Sequence, residues 1–375
     1  MAVIVKERLR ELARIRPAGH KVLSLYLNLD PSEFPTPRDR SVELESLLHT
    51  AEAGLRADSL DHAQKDELKR DLERVRTFFK EEFDASGTRG VVVFAASGAD
   101  LFEVMKLPSP VSSEVMIDDS PFIEPLTAVP GSDGYCVLLI NRQVARILVG
   151  GAAGMREVVS IVDDVHRWHD QGGWSQARYQ RGIVKETHDH VKHAADELFK
   201  RFKQGTVQRL IIGTPEELKG DITPSLHSYL RDRIAGWIEI DVKSSPANVA
   251  KEAAAVIERD EQERERHWLE RLKSELGRNA RGAAGLEATL EALNERRVEA
   301  LLVQHGVRAG GYANAAADFL SAEPGESPAG DKLHEREDVI EHAVESALEQ
   351  SAEIVVVRHH PDLESIGSIG AVLRF

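Results

Sequence analysis

The chain has 375 residues, 42% hydrophobic and 30% charged, which suits two or three globular domains and excludes wholesale disorder. Its formal net charge of −15 at pH 7 argues against a nucleic-acid partner unless positive charge is gathered locally. A single cysteine, Cys136, excludes an intramolecular disulfide and any multi-cysteine metal site, and no apolar run approaches the length that crosses a bilayer.

The N-terminus turns charged at Lys6, too soon for a signal peptide, so a cytoplasmic protein with no membrane partner is expected. An amphipathic helix is expected over 6–15, followed by an alternating strand over 22–29 and a proline-bearing loop. Helices over 41–56 and 62–83 come next, then strands over 91–96, 101–107 and 113–117. This α/β domain should end near Pro130-Gly131, a turn-rich boundary.

The second part begins with strands over 135–140 and 144–149, joined by Asn141-Arg142-Gln143, and a third strand over 157–162 completes a meander. A helix follows residue 173, with Val184, His188, Val191, Ala195, Leu198 and Phe202 forming its apolar stripe. A strand over 207–212, a helix over 223–234 and a strand over 237–242 complete a mixed sheet covered by helices. A helix over 248–276, dense in Glu and Arg, suits an exposed linker. The third part reads helix 285–294, strand 298–303, helix 339–350, and strands over 354–358 and 371–375. Its Pro/Gly/Glu/Ser-rich loop over 322–331 has the composition of a mobile segment.

The most informative segment is Gly172-Gly173-Trp174-Ser175-Gln176-Ala177-Arg178-Tyr179-Gln180-Arg181. Two glycines permit backbone angles closed to other residues, and Ser175 is a good N-cap. An exposed glycine turn would thus feed a helix N-terminus, whose N–H groups and positive dipole end suit an anion or a developing oxyanion. Between residues 178 and 203 stand Arg178, Arg181, Lys185, Lys192, Lys200, Arg201 and Lys203 against Glu186, Asp189, Asp196 and Glu197, a locally basic stretch in an acidic protein. On local pattern alone, an ordinary glycine loop before a capped helix with a solvated face is the plainer explanation.

Gly-Gly followed closely by Gln, between a meander and a long helix, resembles the Gly-Gly-Gln loop of archaeal and eukaryotic class I release factors. The form Gly-Gly-Trp-Ser-Gln-Ala-Arg-Tyr-Gln-Arg is more similar still to the bacterial and Vms-type release-factor-like families of the release factor and Pelota superfamily. Farther on, Gly285-Leu286-Glu287-Ala288-Thr289-Leu290 with Val298-Glu299-Ala300-Leu301-Leu302 resembles the opening of the release factors' third domain. Gly367-Ser368-Ile369-Gly370-Ala371-Val372-Leu373-Arg374-Phe375 resembles its closing loop and strand.

The resemblance, over roughly the last two thirds of the chain, implies a multidomain α/β fold. It assigns an N-terminal α/β domain to 1–130, a ribonuclease-H-like mixed-sheet domain to 131–250, and to 251–375 a linking helix with an α/β/α domain like a kink-turn-binding ribosomal protein. It implies hydrolysis of the peptidyl-tRNA ester in ribosome rescue or quality control, with no cofactor and no metal. Gln176, Gly172, Gly173 and Ser175 would serve the chemistry, and Trp174, Arg178, Tyr179, Arg181 and Lys185 would contact RNA. The partners implied are the ribosome, with a tRNA or rRNA, and in some relatives a translational GTPase.

Two departures are visible. Trp174 and Ser175 lengthen the loop before Gln176, and the first domain lacks the Asn-Ile-Lys-Ser motif of stop-codon reading. A non-catalytic hibernation factor occupying the A site and a nuclease acting on the tRNA acceptor end are therefore the alternatives. His166, His169, His188, His190 and His193 form a cluster in sequence, with packed or solvent-facing roles expected before metal binding. Asp163, Asp164, Asp170, Asp221 and Asp241 show no nuclease spacing and read as solvated loop carboxylates.

Overall fold

A computed structural model describes residues 6–17, 19–57, 60–85, 88–107, 110–127, 134–151, 154–163, 176–202, 209–278 and 280–375. The chain forms two compact units: Met1–Lys6 with Pro130–Glu261, and Glu7–Val129 with Gln262–Phe375.

The N-terminal part comprises α1 (Lys6–Ala13), β1 (Val22–Asn28), α2 (Pro37–Ala57), α3 (His62–Glu81), β2 (Gly90–Ala96), β3 (Leu101–Leu107), β4 (Glu114–Asp118) and the short α4 (Glu124–Thr127). Its antiparallel sheet has the order β3-β2-β1-β4. Every residue of β1 is buried, as expected of a central strand covered on both faces. Leu23, Leu25 and Leu27 pack against Leu48 of α2 and Leu68, Leu72 and Val75 of α3. On the other face the Tyr26 hydroxyl donates to the Phe122 carbonyl at 2.5 Å. A capping box starts α3: Asp61 Oδ1 accepts from Gln64 N at 2.8 Å, and Gln64 Oε1 accepts from Asp61 N at 3.2 Å.

The middle of the chain comprises β5 (Tyr135–Ile140), β6 (Val144–Gly151), β7 (Gly154–Val162), α5 (Gln176–Phe202), β8 (Arg209–Gly213), α6 (Glu216–Ser225), α7 (Ser228–Arg231), β9 (Ile234–Ile238) and α8 (Pro246–Gly277). The sheet order is β7-β6-β5-β8-β9, with an antiparallel meander on one side and two parallel additions on the other. This is the ribonuclease-H-like arrangement. Alternation along β5 feeds two cores. Cys136, Leu138 and Ile140 face Val191, Ala194 and Leu198 of α5, while Val137 and Leu139 face Val249, Ala253 and Ile257 of α8.

The C-terminal part comprises β10 (Gly282–Ala284), α9 (Leu286–Asn294), β11 (Val298–Gln304), β12 (Gly311–Ala313), β13 (Leu320–Ser321), β14 (His334–Arg336), α10 (Val339–Glu349), β15 (Glu353–Val357) and β16 (Ile369–Leu373). The main sheet, β10-β16-β11-β15, is antiparallel except for the β11–β15 pair. Leu269 and Leu272 of α8 pack with Ala300, Leu302, Val355 and Val372, and α9 and α10 also contact the sheet. Gly367 has φ +96°, and a Cβ there would stand 3.0 Å from Gly285 Cα, so two chain segments meet at a position that only glycine fits.

Four expectations change. The single helix expected over 223–234 is instead two, Glu216–Ser225 starting earlier and the short Ser228–Arg231 within the range, and Ile234 already belongs to β9. The long charged helix is not simply exposed, because Val249, Ala253, Val256, Ile257, Leu269 and Leu272 are buried. The loop over 322–331 is tied by its own polar groups. Ser327 N donates to Asp331 O at 2.8 Å, Ser327 Oγ to Asp331 Oδ2 at 3.1 Å, and Glu326 and Lys332 form an isolated bridge. Finally, β12–β14 form a small sheet of order β13-β12-β14 where only a loop was expected.

Candidate functional site

The site is the end of β7 together with the helix α5 that follows. The β5–β6 turn is closed by Asn141, whose Oδ1 accepts from Gln143 N at 2.9 Å and from Val144 N at 2.8 Å. Asp163, just past β7, donates its N–H to the Gln143 carbonyl at 2.9 Å, so its backbone is fixed beside that turn. Its carboxylate Oδ2 then meets two rings of α5: His190 Nδ1 at 2.6 Å and His193 Nδ1 at 3.2 Å. Residues three apart on a helix share a face, which is why one carboxylate reaches both.

The two rings differ in setting. The His190 side chain is fully buried and that of His193 is half exposed. Burial alone would push the Asp163 carboxyl up, but hydrogen bonds from His190 and then His193 outweigh it and hold the group below the ordinary carboxylate value. A neutral His190 that donates from Nδ1 carries its lone pair on Nε2, which is buried with no hydrogen-bond partner among the described residues.

This corrects the expected stripe of α5. His188 is exposed and His190 is buried, so the packed face runs through Thr187, His190, Val191, Ala194, Ala195 and Leu198. Asp163 is likewise not a solvated loop carboxylate. Asp221 and Asp241 are exposed as expected. Among the described residues no group of three or more His, Cys, Asp or Glu could hold a metal ion.

Gln176 is the first residue of α5 and lies 14 positions before His190, roughly 21 Å along the helix at about 1.5 Å per residue. Helical geometry at about 100° per residue puts positions 178, 181, 185 and 192 within roughly a 60° arc. That arc lies opposite the buried face of α5. Arg178, Arg181, Lys185 and Lys192 occupy it, and Lys185 and Lys192 are exposed. The first turn of α5 carries backbone N–H groups with no acceptor inside the helix. The arrangement therefore combines a positive helix end, a basic face and an anchor at mid-helix. Gly172, Gly173, Trp174 and Ser175 lie outside the described residues, as do His166, His169, Asp164 and Asp170. Arg178, Tyr179 and Arg181 lie on the first two turns of α5.

Residues 121–258, which contain this arrangement, match a family model described as bacterial archaeo-eukaryotic release factor family 10. The matched segment is similar to that release-factor-like family. Peptide chain release factor subunit 1 of Methanopyrus kandleri is 28% identical over 54% of this chain and 51% of its own length, and its counterpart in Thermococcus kodakarensis is 22% identical over 72% and 73%. The chain thus spans about half the length of the Methanopyrus relative. Among solved structures, a model of ribosome-bound archaeal Pelota and ABCE1 is similar over 100% of this chain and 95% of that one, at 15% identity and a TM-score of 0.42. The matched segment includes Gln176 together with Asp163, His190 and His193. The three-residue anchor had a sequence signal, histidines at 190 and 193 with an aspartate before the loop, but nothing local to say which faced inward.

Proposed function

We propose that this protein acts on the ribosome as a peptidyl-tRNA ester hydrolase in rescue or quality control, with Gly172–Gln176 as the loop presented to the ester. The observation that carries the reading is α5: a helix whose first residue is Gln176 and whose Lys185 and Lys192 are exposed, inside the segment matching the release-factor family model. No helix among the described residues is long and apolar enough to cross a membrane, and a ribosomal partner would place the protein in the cytoplasm.

The chemistry follows from the residue types. Release is attack by water on the ester carbonyl. A glutamine amide does not titrate near neutral pH, so Gln176 is no general base. Its work is positional: a backbone N–H faces the oxyanion and the side-chain amide holds water. Gly172 and Gly173 would let the backbone come close, and Ser175 is a residue type suited to cap the helix. Trp174, Arg178, Tyr179, Arg181 and Lys185 contact the acceptor end of the tRNA or the rRNA around it. Proton transfer falls to RNA or water, so the acceleration is shared with the ribosome. A translational GTPase is the proposed delivery partner.

The test is peptide release from ribosome-bound peptidyl-tRNA. Wild type should release peptide above the factor-free rate, and Gln176→Ala should lose about 10²-fold, the scale of one lost positioning group. The two extra residues, Trp174 and Ser175, favour a second reading, a non-catalytic factor that occupies the A site of idle ribosomes. Cosedimentation with ribosomes without any release would select it.

A further inference from the structure

In the second unit the N-terminal and C-terminal parts meet along α10, and the contacts there are unusually acidic. Glu341 Oε1 accepts the backbone N–H of Ile123 at 2.6 Å, and Oε2 accepts that of Glu124 at 3.0 Å. One turn on, Glu345 Oε2 meets Arg16 Nη2 at 2.6 Å and His342 Nδ1 at 2.9 Å. Glu341, His342 and Glu345 are 4%, 1% and 1% exposed. Glu124 Oε1 and Glu345 Oε1 are buried with no hydrogen-bond partner among the described residues.

The charges facing this seam can be counted element by element. Glu114 of β4 and Asp338, the N-cap of α10, face Glu124, as do Arg358 and Arg308. Glu345 and Glu124 face Glu341, and the buried Tyr26 phenol lies in their field. Five carboxyl groups thus share Arg16, Arg308, Arg358 and His342. Two of these cations are already committed, Arg16 to Glu345 and Arg308 to Glu114 at 2.5 Å. A buried carboxylate that lacks a cation and a full set of donors keeps its proton instead of its charge.

We propose that this seam is a proton-dependent latch: the two parts join with a proton held between Glu124 and Glu341, and the joint loosens as that proton is lost. The directions agree. Burial first, then the Glu345 charge, pushes Glu341 well up. Burial, then the charges of Glu114 and Asp338, pushes Glu124 up to about 7 from an ordinary 4.5. With the parts separated, both groups would titrate in the ordinary range. A group raised in the joined form favours joining fully below the ordinary value, and that contribution is lost as pH rises through the raised one. For Glu124 alone this weakens the joint about tenfold between pH 6 and pH 8.

The latch is independent of the proposed hydrolysis and is tested on the full chain without a ribosome. Hydrogen exchange is followed over 120–127 and 339–349, each rate divided by its intrinsic rate at that pH, with the amides of β11 and β16 as reference. Protection across the seam should fall about tenfold from pH 6 to pH 8 while the reference holds. Glu124→Gln, which cannot ionise, should flatten the dependence and stay protected at pH 8. Should that variant fail to fold, Glu341→Gln is read in the same way. A pH-independent seam in the wild type, or a wild-type slope in the folded Gln variant, overturns the proposal.

Discussion

Asp163 in the first unit, whose side chain keeps a third of its surface in water, and the more deeply buried Glu124 in the second are both partly desolvated carboxyl groups, yet they shift in opposite directions. Asp163 is held low because two imidazoles donate to one oxygen. Glu124 is driven up to about 7 because its Oε1 is buried without a partner and acidic groups surround it. Desolvation raises both but acts harder on Glu124, so depth of burial and the supply of donors together decide the direction. The consequence is a division of labour. The Asp163 contact ties the end of β7 to α5 over a wide pH range, whereas the α10 seam responds to pH near neutrality.

The comparison can be broken by substitution. The largest effect should come from Glu341→Ala, which orphans the N–H groups of Ile123 and Glu124 in a buried place. At about 1–3 kcal/mol for each unsatisfied group, the loss should be about 3 kcal/mol in denaturant unfolding of the second unit. Asp163→Ala should cost about 2 kcal/mol, since it strands the buried His190 Nδ1–H, while Asp163→Asn, which keeps an acceptor, should cost about half as much. Equal losses for Ala and Asn would show that the contact is not what matters at that position.

The pH dependences should have opposite signs. Stability owed to Asp163 is present above the ordinary aspartate value of 3.8 and is lost as pH falls through its lowered one. Stability owed to Glu124 is lost as pH rises from 4.5 through about 7. Thermal melts resolved by unit, from pH 3 to pH 8, check both slopes. The smallest effect belongs to His193→Ala: its half-exposed ring should contribute within about 0.5 kcal/mol, so a larger loss would mean that the second imidazole, not the buried one, carries the anchor.

Much of the fold was legible before the structure. Strand patterns placed β1, β3 and β5 to within a residue or so, and the ranges expected for α3 and α10 lie within two residues of those found. The failures have physical causes. Pro224 sits in the last turn of α6, where it offers no N–H to the Gly220 carbonyl, although proline is favoured in a helix's first turn. A helix starting near it was therefore plausible, and Gly220 masked the helix that precedes it. The strands β12–β14 are two or three residues long, too short for a period of two to show. On α5 the apolar periodicity was right, but His188 and His190 are chemically alike, and only a partner 27 residues away from His190 decides which is buried. The role of Glu341 was not legible in the sequence, because the Ile123 backbone it serves lies 218 residues away in the chain. The proposed catalytic loop was conspicuous for the opposite reason, since its two glycines, Gln176 and the basic positions of α5 are contiguous in sequence.

The central claim rests on Gln176 at the start of α5. Single-turnover release from purified ribosomes carrying peptidyl-tRNA, with wild type and Gln176→Ala compared at saturating factor, tests it most directly. The account predicts release above the factor-free rate for wild type and a loss of about 10²-fold for the variant, with ribosome binding unchanged. Equal release by the two proteins at the factor-free rate would contradict it.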